Sequence, residues 1–136
     1  MGCRHDLHNN IKVSRAISPA AAITGNGNTD SQIIDTKGFE SLEFVILAGA
    51  LTDGTLTPQL IEGDDSGLSD GATVAAGDLL GSATAIASTD DNAVRKIGYR
   101  GNKRYVRLRL VQTGATSGGF AGAVAVQANA GTYPVS

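Results

Sequence analysis

With 136 residues, 41% of them hydrophobic, and a net charge of −2, the chain has the size of one globular domain able to bury roughly two-thirds of the surface exposed by its unfolded form. Its single cysteine excludes an internal disulfide, no apolar run approaches the ~18 residues needed to cross a bilayer, and the first ten residues hold no hydrophobic segment of the secretory kind. Eighteen glycines, three prolines and no tryptophan describe strands and turns; the one helical candidate, 75–82, is limited to about one turn by Gly77 and Gly81.

In chain order, residues 1–10 (MGCRHDLHNN) read as a polar extended arm. Ile11, Val13, Arg15 and Ile17 alternate as a first strand that Pro19 ends, with 20–24 continuing it beyond a kink. Residues 25–30 are a loop by composition, and GNGN lacks the strand-loop-helix setting of a phosphate cradle. A short strand at 31–35 and a turn at Lys37-Gly38 lead into a long strand. There Leu42, Phe44, Ile46 and Ala48 share one face, while Val45, Leu47 and Gly49 on the other predict burial on both sides at its end. Asp53-Gly54 between apolar flanks predicts a hairpin, with 56–62 as the return strand and Pro58 placing it at an edge or bulge. Residues 63–81 form a long surface excursion with a short strand at 72–74. Near the C-terminus, Phe120, Val124 and Val126 alternate with Ala121, Ala123 and Ala125, so one face is bulky and the other lets a second layer approach, either the opposite sheet or a symmetry mate.

The stretch 91–113 carries most of the positive charge. Val106, Leu108 and Leu110 alternate with Tyr105, Arg107 and Arg109, a half-buried strand with guanidinium groups outward. The turn chemistry of Arg100-Gly101-Asn102-Lys103 predicts that 93–99 runs back against it as a hairpin, with Lys96 facing Arg107 or Arg95 facing Arg109. Either register sets like charges opposite each other and calls for acidic compensation. Twelve of the thirteen acids lie between Asp30 and Asp91, whereas the seven bases from Asn92 onward have no acid among them. This segregation allows three readings: acidic and basic strands neighbour each other within one fold, the basic face docks on an acidic patch of another subunit, or it binds phosphates. With an acidic chain, six aromatics and no recognisable motif, nucleic acid is not an expected partner. The candidate subunit or capsid interface is accordingly Arg95, Lys96, Arg100, Lys103, Arg104, Arg107 and Arg109.

Catalytic and metal motifs are not found. Cys3, His5, Asp6 and His8 are ligand types in one short segment, without the second cluster that structural sites use. Asp64, Asp65 and Asp70 suit a solvated turn better than a calcium loop, whose twelfth position would fall on Ala75. Both histidines sit in the arm, no Gly-x-Ser-x-Gly occurs, and no cofactor or metal is expected, so the chain reads as non-enzymatic. The Met-Gly-Cys start has Asp6 where a myristoylation signal wants Ser or Thr. Cys3 is the candidate for an intermolecular disulfide.

The expected fold is all-β: a single-domain sandwich or barrel of about seven to nine antiparallel strands over 11–130, with the arm at 1–10 and a tail at 131–136. Three blocks, IDTKGFESLEFVI at 34–46, LTDGTLTPQLIEGDDSGLSD at 51–70 and TDDNAVRKIGYRGNKRYVRLRL at 89–110, together with DLHNNIKVSRAISP at 6–19, resemble small proteins encoded beside the major capsid protein in tailed bacteriophages. The resemblance implies a virion protein made in the host cytoplasm. Its most direct role would be capsid decoration or cement on the capsid surface, with the major capsid protein as partner and a homo-oligomer, trimer before dimer, as the unit. It implies no membrane contact and supplies no functional residues. The alternatives are an adaptor or tail component, or a head-fibre domain that binds host-surface glycans.

Overall fold

The computed structural model describes residues 2–135; Met1 and Ser136, the outer ends of the predicted arm and tail, lie outside the described residues. Eleven strands form two antiparallel sheets packed as a sandwich. In chain order they are β1 (Lys12–Ile17), β2 (Gly27–Asp30), β3 (Ile34–Asp35), β4 (Phe39–Leu51), β5 (Thr55–Gly63), β6 (Ala72–Thr73), β7 (Leu79–Leu80), β8 (Ile86–Ala87), β9 (Val94–Tyr99), β10 (Tyr105–Thr113) and β11 (Gly119–Ala130). Single 3-10 turns occupy Ala76–Asp78, inside the predicted helical candidate, and Ser88–Asp90. Four of the strands have two residues, and the seven longer ones fall in the expected range. One sheet runs β1-β11-β4-β9-β7; the other runs β2-β10-β5-β6, with β3 on β10 and β8 on β5.

Both predicted hairpins are absent. β4 pairs with β11 and β9 while β5 pairs with β10, so at Asp53-Gly54 the chain leaves one sheet and enters the other. The same crossing happens between β9 and β10, so Lys96 does not face Arg107, nor Arg95 Arg109; Lys96 lies opposite Val45, and Arg109 between Gln59 and Asp30. Turn residues specify a reversal of direction, not the layer in which the next strand lies. Each strand here has one strongly apolar face, and arching over the edge places two such faces against each other, whereas a hairpin would lay them side by side. Asp53 fastens the arches together: its carboxylate accepts the backbone N–H groups of Thr116, Ser117 and Gly118, the last at 2.7 Å, in the arch between β10 and β11. Gly118 is required there, since its φ is +67° and a Cβ would run into the carbonyl of Ile23.

The core lies between the sheets. Leu42, Phe44, Ile46 and Ala48 of β4 face Val106, Leu108 and Leu110 of β10 and Leu56 and Leu60 of β5 in one buried cluster, as their alternation predicts. The alanine row of β11 points into this cluster, so the second layer it admits is the opposite sheet. The buried polar side chains Gln112 and Ser31 are matched: Gln112 Nε2 donates to the carbonyls of Ile23 and Gly25 at 2.7 and 2.8 Å, and Ser31 Oγ accepts the N–H of Leu108 at 2.9 Å.

Three local expectations change. A bulge between Arg15 and Ile17 turns Val13 and Arg15 outward but Ala16 and Ile17 inward, which breaks the predicted single row. The continuation at 20–24 reduces to one bridge between Ile23 and Gly119. The loop at 25–30 contains a strand, because β10 offers it a ladder whose pairs include Asn28 with Val111 and Asp30 with Arg109. Polar, glycine-rich composition there is overruled by a tertiary partner.

Candidate functional site

The basic residues of 95–109 are brought to different places and are mostly neutralised where they stand. β10 presents Arg107 and Arg109 on the outer face of the six-stranded sheet, and both reach Asp30 of β2, at 3.4 and 2.7 Å. Arg104 forms a two-pronged pair with Asp35, both bonds 2.9 Å, and its guanidinium lies 5.0 Å over the Tyr105 ring. Lys103 meets Asp64 at 2.6 Å, and Arg95, on β9 of the other sheet, approaches Asp90 at 3.9 Å. Lys96 and Arg100 are exposed on the five-stranded side. The hydrogen bond from Arg104 holds the Asp35 carboxyl down to about 2, and that from Arg109 holds Asp30 below its usual range. Of the three readings of the charge segregation, neighbouring acidic and basic strands within one fold is the arrangement observed. The acid turn at 64–70 closes on itself in the same way: Asp70 accepts the N–H groups of Asp64 and Asp65, and Asp65 those of Gly67 and Ser69. Among the described residues no group of three His, Cys, Asp or Glu converges as metal ligands. Cys3 is exposed on the arm.

The outer face of the five-stranded sheet has the opposite character. Cross-strand pairs align Val124 with Val45, Val126 with Val13, and Leu47 with Val94. Leu47 is 57% exposed, Val94 60%, Val13 56% and Phe120 44%. The predicted two-sided burial of β4 is therefore not found: its second apolar face lies open. A shallow trough of about 630 Å³ crosses this surface between Pro19, Val45, Leu47, Val94, Phe120 and Val124, rimmed by Arg15 and Asn92. Contiguous exposed apolar surface of this kind is the type of surface on which docking sites are built. Sequence periodicity detected the bulky row of β11 and the second apolar row of β4, but it could not show that both point away from the core.

A second concavity, of about 610 Å³, lies at the other end of the same sheet. It is floored by Phe39, Ser41 and Glu43 of β4, flanked by Val126 and Ala128 of β11, and bordered by Leu80 and Arg100. Glu43 lies across Gly98, where a Cβ would collide with its carboxylate. Burial pushes the Glu43 carboxyl up, against a weaker opposing pull from Lys96. Tyr99, at the margin, donates to Glu62 at 2.6 Å and accepts the N–H of Lys103 at 2.9 Å, which fixes the border of the groove.

No protein-family model matches the chain, and no curated protein matches it. Among solved structures, the fold is similar to that of the PBSX exported protein XepA, at 18% identity and a TM-score of 0.56 over all of this chain. The carbohydrate-binding module CBM35 from Paenibacillus barcinonensis is similar at 15% identity and a TM-score of 0.44, covering 94% of this chain and 100% of its own. The CBM22-1-GH10 modules of Clostridium thermocellum xylanase 10B are similar at 10% identity and a TM-score of 0.45, over 93% of this chain and 26% of theirs. This chain spans 42% of the length of XepA, and what the two have in common at that identity is the β-sandwich fold.

Proposed function

We propose that the chain is a non-enzymatic structural protein of a phage virion, one that decorates the capsid by seating the outer face of its five-stranded sheet on the major capsid protein. The observation that carries this reading is the one-sidedness of the molecule. One outer face is apolar around Val45, Leu47, Val94 and Val124, while the other is polar, with Arg107 and Arg109 paired to Asp30 and Arg104 to Asp35. A protein that coats a shell needs one surface to lose water against its support and another to remain in water. The sequence resemblance to capsid-adjacent phage proteins agrees with this, as does the phage origin of XepA, which has the same fold. A host-glycan role is the second reading: carbohydrate platforms use exposed aromatics, and Phe120 in the trough is exposed, whereas Tyr105 on the polar face is covered by Arg104.

The test is co-sedimentation with shells that lack the protein. Wild type is expected to pellet with the shells and the double variant Leu47→Asp with Val94→Asp to remain in the supernatant, with its thermal unfolding little changed because both positions are exposed. Pelleting of the variant at the wild-type level overturns the assignment of the face. A wild type that ignores shells but is retained by a glycan array moves the chain to the host-binding reading.

A further inference from the structure

Among the described residues the arm contributes nothing to the buried core. Gly2 to Asn10 are exposed throughout, with Leu7 at 66%, and none of these residues lines either groove. Asp6 folds the end of the arm by accepting the N–H and side-chain amide of Asn9, at 3.0 and 2.7 Å, and the backbone N–H of Val135 donates to the Asn9 carbonyl at 2.8 Å. Residues 2–7 then extend beyond that tie. With Asp6 engaged in its own turn, the arm offers Arg4, His5 and His8 around the apolar side chain of Leu7. Beyond the turn at 6–10, residues 2–5 reach about 14 Å when extended, enough to touch a copy packed alongside.

The groove over Glu43 offers a counterpart to Leu7 and to Arg4. Its walls are apolar at Phe39, Leu80 and Val126; Glu40 and Glu43 give it carboxylates, while its border carries Arg100 and Lys103, the latter held by Asp64. Asp30, Asp35 and Asp64 are each held by a base of this chain, whereas Lys96 acts on Glu43 only through space. Ala128, a small residue in the lining, leaves room on the β11 side of the concavity. We propose that this groove receives the N-terminal arm of a second copy of the chain, with Leu7 against the apolar walls and Arg4 on Glu43. The contact is heterologous, arm to groove, so successive copies close into a ring or extend as a file. It uses the opposite end of the sheet from the trough and does not rest on capsid binding.

Cys3, the chain's single cysteine, provides a native probe in the arm. In the full-length Ala128→Cys protein under mild oxidation, the expected product is a disulfide between Cys3 of one copy and the introduced cysteine of the next. Non-reducing gels then show species of three chains and more, which wild type with its one cysteine cannot form, and these vanish when Cys3→Ser is added. Charge reversal by Arg4→Glu or Glu43→Arg lowers the yield about tenfold, and the two together restore it, as expected for a close pair of opposite charges. A bond within one chain, free thiols throughout, or two-chain species equal to those of wild type overturns the proposal. So does a yield that neither reversal moves in variants whose unfolding temperature is unchanged. Leu47→Asp with Val94→Asp leaves the cross-link intact, which separates failure of this contact from failure of capsid docking.

Discussion

The Asp53 carboxylate accepts three successive N–H groups, and those bonds, from Gly118 first and then Ser117 and Thr116, hold its pKa below the usual aspartate value. A group with a depressed folded pKa contributes stability that is present above the unfolded pKa and lost as the pH falls through the folded one. Asp53→Ala should therefore lower the melting temperature at pH 7, with Asp53→Asn, which keeps one acceptor oxygen, lowering it less. Thermal melts at decreasing pH check the assignment, because the gap between Asp53→Ala and wild type should narrow as Asp53 takes up its proton. Glu43 has the opposite sign. Its pKa is raised by burial, so its contribution is present below the unfolded value and is lost as the pH rises through the folded one. At residue scale this was only partly legible: Asp53 stood out as a turn residue, but its partners lie more than sixty positions away. Glu43 stood out only as the polar start of an otherwise apolar row, while the glycine beside it in the sheet, Gly98, is brought there by β9.

β4 shows how one strand divides its work between two faces. Phe44 is fully buried in the sandwich, and Leu47, three positions on, is more than half exposed. Phe44→Ala should cost about 3–5 kcal/mol, the range for deleting a buried aromatic, while Leu47→Ala should stay within about 0.5 kcal/mol. Denaturant titration of the two variants measures the contrast. A similar large cost for both would mean that the outer face is already covered within the molecule. The alternation of Leu42, Phe44, Ile46 and Ala48 was enough to predict the buried face. The opposite face was apolar in the sequence too, and apolarity alone does not tell a covered surface from one that awaits a partner.

For the whole molecule, carboxylates act as fasteners. Asp30 and Asp35 hold bases beside β10, Asp53 joins two arches, and Asp65 and Asp70 close the acid turn, each with its pKa lowered chiefly by the hydrogen bonds it accepts. Their combined stabilisation is complete above the ordinary aspartate value of 3.8 and fades toward the folded values, about 2 for Asp35, with Glu43 pulling the other way. The melting temperature should accordingly be nearly flat from pH 7 to about pH 5 and fall steeply below about pH 4. Calorimetry across that range decides it, and a melting temperature that rises on acidification would contradict the sign. The ion pairs lie at half-exposed positions, so added salt should weaken them only modestly.

The sequence by itself determined that the chain is all-β, where its long strands run, which face of β4 and of β10 is buried, and that acids and bases are segregated along it. These follow from local chemistry: a period of two for strands, glycine and proline at turns, and the cost of placing charge in a core. Only the tertiary structure decided which strand pairs with which, so that Asp53-Gly54 and 100–104 became crossings between sheets and Asp30 came to lie beside Arg109. It also decided that the apolar row of Val45 and Leu47 faces outward. The physical reason is that turn chemistry sets a reversal and periodicity sets two faces, while pairing and orientation depend on burying all the apolar faces at once, a condition on the whole chain rather than on any stretch of it.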